Sequence, residues 1–260
     1  MLINSPITAQ VLLPQYSVWE RFAFEDEQAV ESREVEERFA RFLLGLEQQT
    51  STQQAEQIGE LLAKAEQNNA TARFLTLAEK YLYDPNSPYR NDEQYLLFLQ
   101  YAATHQLATY TTNPRYQKHY TMVQKNRVGM PAADFPFTTQ AGEEGHLYGV
   151  QSQYILLFFH DPHCEECQYV KQQLESQHAH FAQKGVQVVA VYIDDEVEAW
   201  KSASYPSAWL SVYAPEIDKQ DLYDIKALPT LYLLNTQKLV LLKDVQVNRV
   251  ISPQSYPLTI

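Results

Sequence analysis

The residues of this chain best suited to chemistry are its two cysteines, Cys164 and Cys167, which enclose Glu165 and Glu166. This Cys-x-x-Cys spacing is used for thiol–disulfide exchange and for metal binding. The pair follows a sharp Asp161-Pro162 turn and opens a segment with a helical pattern. At the start of a helix, unpaired backbone N–H groups and the helix dipole favour a thiolate, which is the species that attacks disulfides. The position therefore favours redox chemistry, with Cys164 as the nucleophile.

The spacing also suits a second step. Cys167 follows one helical turn after Cys164, so the two side chains are expected on one face of the helix. Cys167 can then attack the mixed disulfide formed by Cys164 and release the substrate. Because the cysteine pair itself carries the two electrons, we expect no dissociable cofactor.

Charged neighbours should tune the thiolate of Cys164. His163, when protonated, would stabilise it, whereas the nearby carboxylates of Glu165 and Glu166 would oppose it. We therefore expect a pair that is not a strong oxidant, with a reduction potential between about −270 mV and about −180 mV.

Two other uses of the cysteines are less favoured by the sequence. A zinc site would add His160 and His163, but four ligands within one strand-to-helix turn could hardly surround a tetrahedral ion, so no metal is expected. A peroxidase of the peroxiredoxin type needs threonine or serine three residues before the reactive cysteine, where this chain has Asp161. A third use stays open: the fold could serve docking alone, with no redox activity.

The composition excludes several classes of function. The formal net charge is −12 and no lysine or arginine cluster is present, which argues against nucleic-acid binding. No apolar run approaches the roughly 18 residues of a membrane helix, so we do not expect an integral membrane protein. The first residues, MLINSPITAQ, lack the basic start and apolar stretch of a signal peptide. Either the protein is cytoplasmic or a signal has been removed, and composition leaves both open.

The elements that must position the cysteines fall into two predicted domains, residues 1–127 and 128–260. Apolar residues at spacings of three and four predict helices in the first domain. These cover Arg33–Glu47, Thr52–Glu66, Phe74–Tyr83, a helix capped by Asn91 or Asp92, and Pro114–Arg127. The aromatic residues Trp19, Phe22, Phe24, Tyr81 and Tyr83 are expected in the helical core.

The second domain changes character after Val128-Gly129-Met130-Pro131, where strands begin. Tyr154–Phe159 is a continuous apolar run of the length of a buried central strand. Short strands are predicted at Asp134–Thr138 and Gly145–Val150, a further buried strand at Val186–Ile193, and a hairpin at Thr230–Leu234 and Lys238–Leu242. Helices are predicted at Cys164–Lys184, Glu196–Ser202 and Ile217–Ile225. This order indicates an α/β sheet with a right-handed crossover between its parallel strands.

Several segments of the second domain resemble thioredoxin-like proteins, most closely the exported oxidoreductases related to cytochrome-maturation thioredoxins. The resemblance covers roughly residues 129–244. It rests on Ala133-Asp134-Phe135, the strand Ile155–Phe159, Cys164-Glu165-Glu166-Cys167 and Leu228-Pro229-Thr230-Leu231-Tyr232-Leu233. It implies an α/β thioredoxin-like fold with a mixed central sheet flanked by helices, preceded here by an all-α domain.

The resemblance also assigns a substrate groove. It implies that Pro229 has a cis peptide bond and faces the cysteines, and that the groove is shaped by Leu228, Pro229 and Thr230. The backbone of Leu228 would pair with an extended substrate segment, which is recognition by strand addition. Partners would be protein thiols or disulfides and an unidentified electron donor. The chain departs from the family in having His163 where tryptophan is usual, and Phe158 where a buried carboxylate often assists the second cysteine.

The first domain resembles an uncharacterised helical domain that precedes thioredoxin-like modules in Bacteroides-type bacteria. The segments that carry this likeness are Trp19–Phe24, Ala78–Tyr89 and Asn126–Gly129. The likeness gives no activity for this half, but it implies export to the periplasm or cell envelope. The final helix expected after the last hairpin is doubtful, because Pro253 and Pro257 interrupt the short tail.

Overall fold

The computed structural model describes residues 18–252, and the chain divides into two compact units after Tyr116. The domain boundary between residues 127 and 128 stays a prediction. The MLINSPITAQ segment, Pro253 and Pro257 lie outside the described residues. Within residues 18–252, none of the helices combines the length and the apolar character that crossing a membrane requires.

The first unit consists of helices, as the periodicity predicts. Its helices are α1 (Glu27–Glu31), α2 (Arg33–Leu46), α3 (Ser51–Gln67), α4 (Thr71–Ala78), a π-helical turn (Glu79–Tyr83), α5 (Asp92–Thr104) and α6 (Ala108–Thr111). The helix α7 (Pro114–Val123) crosses the division between the units.

Side-chain caps explain where three of these helices begin. The carboxylate of Asp26 accepts the N–H groups of the first turn of α1. Thr50 and Gln53 form a reciprocal capping box at α3. Asn91, rather than Asp92, caps α5 by accepting the N–H of Gln94. Each such cap satisfies backbone donors that a helix start leaves unpaired and contributes about 1 kcal/mol.

The core of the first unit is aromatic. Trp19 contacts Phe22, Phe42 and Phe74 edge-on, with ring centroids 5.3 to 5.9 Å apart. Trp19 and Phe74 are buried, as are the five apolar residues of the predicted α2 stripe, Val35, Phe39, Phe42, Leu43 and Leu46. This part of the chain therefore uses these aromatic residues for packing.

The second unit is built on a seven-stranded mixed sheet in the order β2-β1-β5-β4-β3-β6-β7. The strands are β1 (Pro136–Thr139), β2 (Glu144–His146), β3 (Tyr154–Phe159), β4 (Val186–Tyr192), β5 (Leu210–Tyr213), β6 (Thr230–Asn235) and β7 (Val240–Lys243). The parallel pairs are β3 with β4 and β4 with β5, and the other neighbours are antiparallel. The predicted fold class is confirmed.

The central strand β3 matches its prediction, and all six of its residues are buried. Alternate residues face opposite sides of the sheet. Ile155, Leu157 and Phe159 belong to one hydrophobic cluster. Tyr154, Leu156 and Phe158 belong to the other, which also contains Cys167. The second cysteine is thereby packed against the sheet.

The remaining helices of the second unit are α8 (Glu165–Ser176), α9 (His178–Lys184), α10 (Val197–Ser202), α11 (Glu216–Lys219) and α12 (Val247–Ile251). The single helix predicted over Cys164–Lys184 is interrupted at Gln177, which ends α8 and precedes α9. The structure has a short final helix, α12, after the last hairpin, where the sequence left the presence of a final helix open.

Three predicted elements were too long. The helix predicted over Pro114–Arg127 ends at Val123. The strand predicted over Gly145–Val150 ends at His146 and gives way to a 3₁₀ turn at Leu147–Gly149. The Leu147 N–H donates to Phe135 O, and the Tyr148 N–H donates to the Asp134 carboxylate. The N–H of Val150 donates to Leu147 O at 3.1 Å and closes the 3₁₀ turn, so the strand cannot continue to Val150.

The helix predicted over Ile217–Ile225 is also shorter, because α11 ends at Lys219. Asp221 has a left-handed φ of 49°, which a continuing helix does not allow. The N–H of Leu222 then returns to Ile217 O at 2.8 Å. The apolar spacing that predicts a helix therefore continues beyond Asp221, but the chain turns at that residue and the helix ends before it.

Candidate active site

The turn before the cysteines is held by its own backbone and side chains. The N–H of His160 still pairs with Val191 O at 3.1 Å, so the sheet extends to the edge of the turn. The carboxylate of Asp161 accepts the N–H of His163, and Asp161 O accepts the N–H of Cys164 at 3.2 Å. These bonds present Cys164 at the first turn of α8.

Cys164 and Cys167 form a disulfide with Cα atoms 5.1 Å apart. Cys164 is the N-cap of α8, and its Sγ accepts the backbone N–H of Cys167 at 3.1 Å. The same donor would face the negative sulfur after reduction. A helix-start N–H and the helix dipole both lower the pKa of a thiol, so the geometry favours a Cys164 thiolate.

The two sulfurs differ in their exposure to solvent. Cys164 is half-buried, whereas Cys167 is 1% exposed and packs in the cluster between α8 and the sheet. An external thiol or disulfide therefore reaches Cys164 first. This difference suits a nucleophile followed by a resolving cysteine.

The predicted groove residues lie at the start of β6, next to the disulfide. The Leu228–Pro229 peptide bond is cis. The carbonyl oxygen of Leu228 lies 3.8 Å from Cys164 Sγ. Thr230 is buried, and its hydroxyl donates to Ala227 O at 2.7 Å, which ties the loop together. The structure thus brings Leu228 into contact with the disulfide. Thr230 instead stabilises the loop through its hydroxyl group.

A buried ion cluster that the sequence analysis missed anchors the segment before Pro229. Lys226 Nζ lies 3.0 Å from the carboxylate of Asp244 and 3.7 Å from that of Asp224. All three side chains are only 5–6% exposed. Asp244 follows β7, so the cluster joins the groove segment to the end of the hairpin. The three residues are widely spaced in the chain, and no local pattern indicates that they meet.

The predicted modulating residues precede and separate the two cysteines in the chain. His163, Glu165 and Glu166 are all exposed. Water and salt screen exposed charges, so their influence on Cys164 is weaker than that of the directly bonded Cys167 N–H.

A cavity of about 250 Å³ lies beside the disulfide. Phe158, His160, Cys167, Lys171 and Tyr205 are among its lining residues. The His160 ring stacks on Phe158 at a centroid distance of 4.8 Å and meets Tyr205 edge-on at 5.4 Å. Burial, with a further contribution from the Lys171 charge, lowers the pKa of His160 to about 4. His160 is therefore a buried imidazole that is neutral at neutral pH.

Among residues 18–252, no group of three or more histidine, cysteine, aspartate or glutamate side chains is arranged to hold a metal ion. His160 is stacked in the core while His163 is exposed, so the two imidazoles occupy different environments.

Two family models match parts of the chain. A model described as a domain of unknown function (DUF5106) matches residues 7–126. A model described as thioredoxin-like matches residues 151–240, which include both cysteines and the Leu228–Pro229 bond. No curated protein sequence matches this chain.

Several solved structures from bacteria are similar to the chain. A thioredoxin-like protein from Bacteroides caccae is 29% identical, with 96% of this chain and 97% of that chain covered and a TM-score of 0.84. The C-terminal domain of an uncharacterised protein from Bacteroides fragilis is 36% identical over 48% of this chain and 95% of its own, with a TM-score of 0.47. A domain of a possible thiol-disulfide isomerase from Cytophaga hutchinsonii is 28% identical over 48% of this chain and 89% of its own, with a TM-score of 0.40.

Proposed function

Because the chain joins a DUF5106 domain to a thioredoxin-like domain with a Cys-x-x-Cys pair, we propose that it is a thiol–disulfide oxidoreductase acting on protein thiols and disulfides. The observation that carries the proposal is the environment of Cys164. Its half-buried sulfur caps a helix, accepts the Cys167 N–H and contacts the Leu228 carbonyl oxygen. Cys164 is the nucleophile and Cys167 the resolving cysteine.

The reaction begins when the Cys164 thiolate attacks one sulfur of a substrate disulfide. A Cys164–substrate disulfide forms, and the other substrate sulfur leaves with the electron pair of the broken bond. The Cys167 thiolate then attacks the Cys164 sulfur. The Cys164–Cys167 disulfide forms and the second substrate sulfur leaves as a thiolate. The substrate has gained two electrons and the cysteine pair has lost them.

Substrate recognition in this proposal uses the loop before β6. An extended segment of the substrate pairs with the backbone of Leu228, beside Pro229, which brings the substrate sulfur to Cys164. The buried Lys226 cluster supports this mode because it holds the loop in place before a substrate arrives. An electron donor that is itself a dithiol returns the pair to its reduced form.

The cellular site in this proposal is the periplasm or cell envelope, where disulfide exchange is frequent. The support is the resemblance of both halves to exported proteins. Cell fractionation with antibody detection of the natural protein tests it, since recovery in the cytoplasmic fraction would contradict it.

The test of the redox function is the equilibrium of the pair with reduced and oxidised glutathione, followed by thiol trapping. We expect a two-electron titration with a midpoint between about −270 mV and about −180 mV. A Cys164→Ser variant is the control and should show no intramolecular disulfide. A wild-type protein without a reversible disulfide would instead support a docking protein that uses the fold without redox chemistry. A midpoint of about −120 mV would place the protein among strong oxidants and contradict the expected range.

A further inference from the structure

The cavity beside the disulfide extends from the protein core to the surface. Its lining includes the buried Phe158 and Cys167 as well as the exposed His163 and Gln168. Its volume of about 250 Å³ exceeds that of several water molecules, which occupy about 30 Å³ each in the liquid. A side chain of a bound substrate can therefore enter it next to the reacting cysteines.

The charge of the cavity lining differs from that of the chain as a whole. The chain has a net charge of −12. Among the described residues that line the cavity, however, none is aspartate or glutamate, and Lys171 of α8 contributes a positive charge. After burial, this charge is the second cause of the lowered pKa of His160, which also lines the cavity. The field of Lys171 thus acts on the cavity wall.

The ammonium group of Lys171 is held in place by the segment after α10. Its Nζ donates to Ser204 O and lies 5.2 Å from the ring centroid of Tyr205. The carboxylate of Glu175 is 3.7 Å away, beyond hydrogen-bond distance, and does not line the cavity. An ammonium carries three N–H donors. Lys171, whose side chain is 18% exposed, is therefore a positioned cation with donor capacity for a ligand.

The lining also includes a polar atom that lacks a partner. His160 is 3% exposed, and its Nε2 has no hydrogen-bond partner within residues 18–252. An unpaired buried polar atom costs free energy. A neutral imidazole carries one N–H, and its tautomer follows the available partner. A carboxylate that reaches the inner wall would accept this N–H and remove the cost.

We propose that this cavity binds an acidic side chain of the substrate protein, close in sequence to the cysteine that reacts with Cys164. The proposal rests on the proposed function and adds a substrate class to it. The carboxylate pairs with Lys171 Nζ, and the apolar stem of the side chain packs against Ala199 and Ala203 of the lining. The preferred substrates are therefore disulfides flanked by glutamate or aspartate.

Carboxylates around the cysteines restrict this preference to the cavity. Asp161, Glu165 and Glu166 lie in the turn and the first turn of α8, but none of them lines the cavity. Glu165 and Glu166 are exposed and repel an acidic substrate that approaches elsewhere. The preference for an acidic substrate should therefore depend on Lys171.

The test uses peptides whose single cysteine carries a 2-thiopyridyl group as a mixed disulfide. Attack of Cys164 on the peptide sulfur releases pyridine-2-thione, and stopped-flow absorbance gives the second-order rate constant with the reduced full-length protein. Each peptide has either glutamate or glutamine at one position within about three residues of the cysteine, since an extended chain advances about 3.3 Å per residue. The 2-thiopyridyl disulfide of glutathione supplies carboxylates without a protein segment.

Wild type should react at least about tenfold faster with the best glutamate peptide than with its glutamine counterpart, as expected for a hydrogen bond to a charged group. Lys171→Gln keeps a donor for Ser204 O but removes the charge. Ala199→Phe fills the cavity and keeps every charge. Both variants should reduce the ratio to within about twofold. Their rates with the glutamine peptide should stay within about threefold of wild type, which shows that the fold and the Cys164 thiolate are intact.

Lys201→Met is the matched control, because Lys201 is 53% exposed and pairs with Glu198 on the surface of α10. It should keep the wild-type ratio. The proposal is overturned by a ratio near one in wild type, by a ratio that either Lys171→Gln or Ala199→Phe leaves unchanged, or by an equal loss in Lys201→Met. If the glutathione disulfide depends on Lys171 as strongly as the glutamate peptide, the carboxylate need not belong to a protein, and the assignment to a protein side chain is wrong. A wild-type protein that releases no pyridine-2-thione from any peptide would contradict the proposed function itself.

Discussion

The backbone N–H of Cys167 lies 3.1 Å from the Sγ of Cys164 and donates to it. The donor belongs to the first turn of α8, where helix N–H groups have no partner within the helix. In the proposed reaction, Cys167 therefore has two roles: its side chain resolves the mixed disulfide, and its backbone N–H stabilises the sulfur that starts the reaction. Substitution of the side chain leaves the backbone donor in place, so mutants can separate the two roles.

Serine variants of the two cysteines should behave differently because of this arrangement. Cys167→Ser keeps the backbone donor, so Cys164 should react with 5,5′-dithiobis(2-nitrobenzoate) within about threefold of the reduced wild-type rate. Cys164→Ser leaves only the buried Cys167 thiol, which should react at least about tenfold more slowly. Thionitrobenzoate release measures both, with the double serine variant as the blank. Equal rates in the two single variants would contradict the assignment of Cys164 as the nucleophile.

The buried imidazole of His160 should make stability depend on pH. Its pKa is about 4 in the folded protein, against an ordinary value of 6.5. Between these values the unfolded chain binds more protons, so the free energy of unfolding rises with pH and the contribution is lost as pH falls towards 4. The shift corresponds to roughly 3 kcal/mol across the window.

Urea unfolding of wild type, His160→Gln and His178→Gln at several pH values measures this dependence. The difference between wild type and His160→Gln should change with pH from about 6.5 down to about 4 and be constant above that range. His178 is exposed, so His178→Gln should keep the wild-type slope. A His160→Gln variant with the wild-type slope would show that His160 is not a buried neutral base.

Removal of the Lys226 charge should destabilise the second unit. Lys226→Met leaves the buried carboxylates of Asp224 and Asp244 without this cation, and breaking a buried ion pair costs about 3–5 kcal/mol. Lys219→Met is a matched control, because Lys219 is 59% exposed and pairs with Glu216 on the surface. It should cost less than about 1 kcal/mol. The free energy of unfolding from urea titration gives both values, and hydrogen exchange in β6 and β7 locates the loss. Equal costs for the two variants would mean that the Lys226 cluster does not hold the hairpin.

Elements that depend on local interactions could be predicted from the sequence. The central strand is visible in Tyr154–Phe159, because a strand covered on both faces needs a continuous apolar run. The start of α8 is visible in Asp161-Pro162 followed by Cys164, because a turn and a capping position lie within a few residues of each other. The cis bond at Pro229 was expected from family resemblance and is present in the structure.

Elements that depend on distant partners were missed or misjudged. The short β5 strand, Leu210–Tyr213, has no distinctive pattern of its own and forms by pairing with β4 and β1. The strand predicted up to Val150 ends at His146, where Leu147–Gly149 form a 3₁₀ turn in which the Val150 N–H donates to Leu147 O. The Asp134 carboxylate accepts the N–H of Tyr148 within this turn, a contact that the alternation of residues does not indicate.

The sequence by itself indicated the type of chemistry that we propose, since two cysteines one helical turn apart after a strand and a turn can open and close a disulfide. Tertiary structure alone decided which sulfur solvent reaches, placed Leu228 next to Cys164, and assembled Lys226 with Asp224 and Asp244. It also placed His160 and Cys167 on the lining of one pocket. The physical reason is that capping and turn formation act within a few residues, whereas burial and charge pairing depend on which distant segments the folded chain packs together.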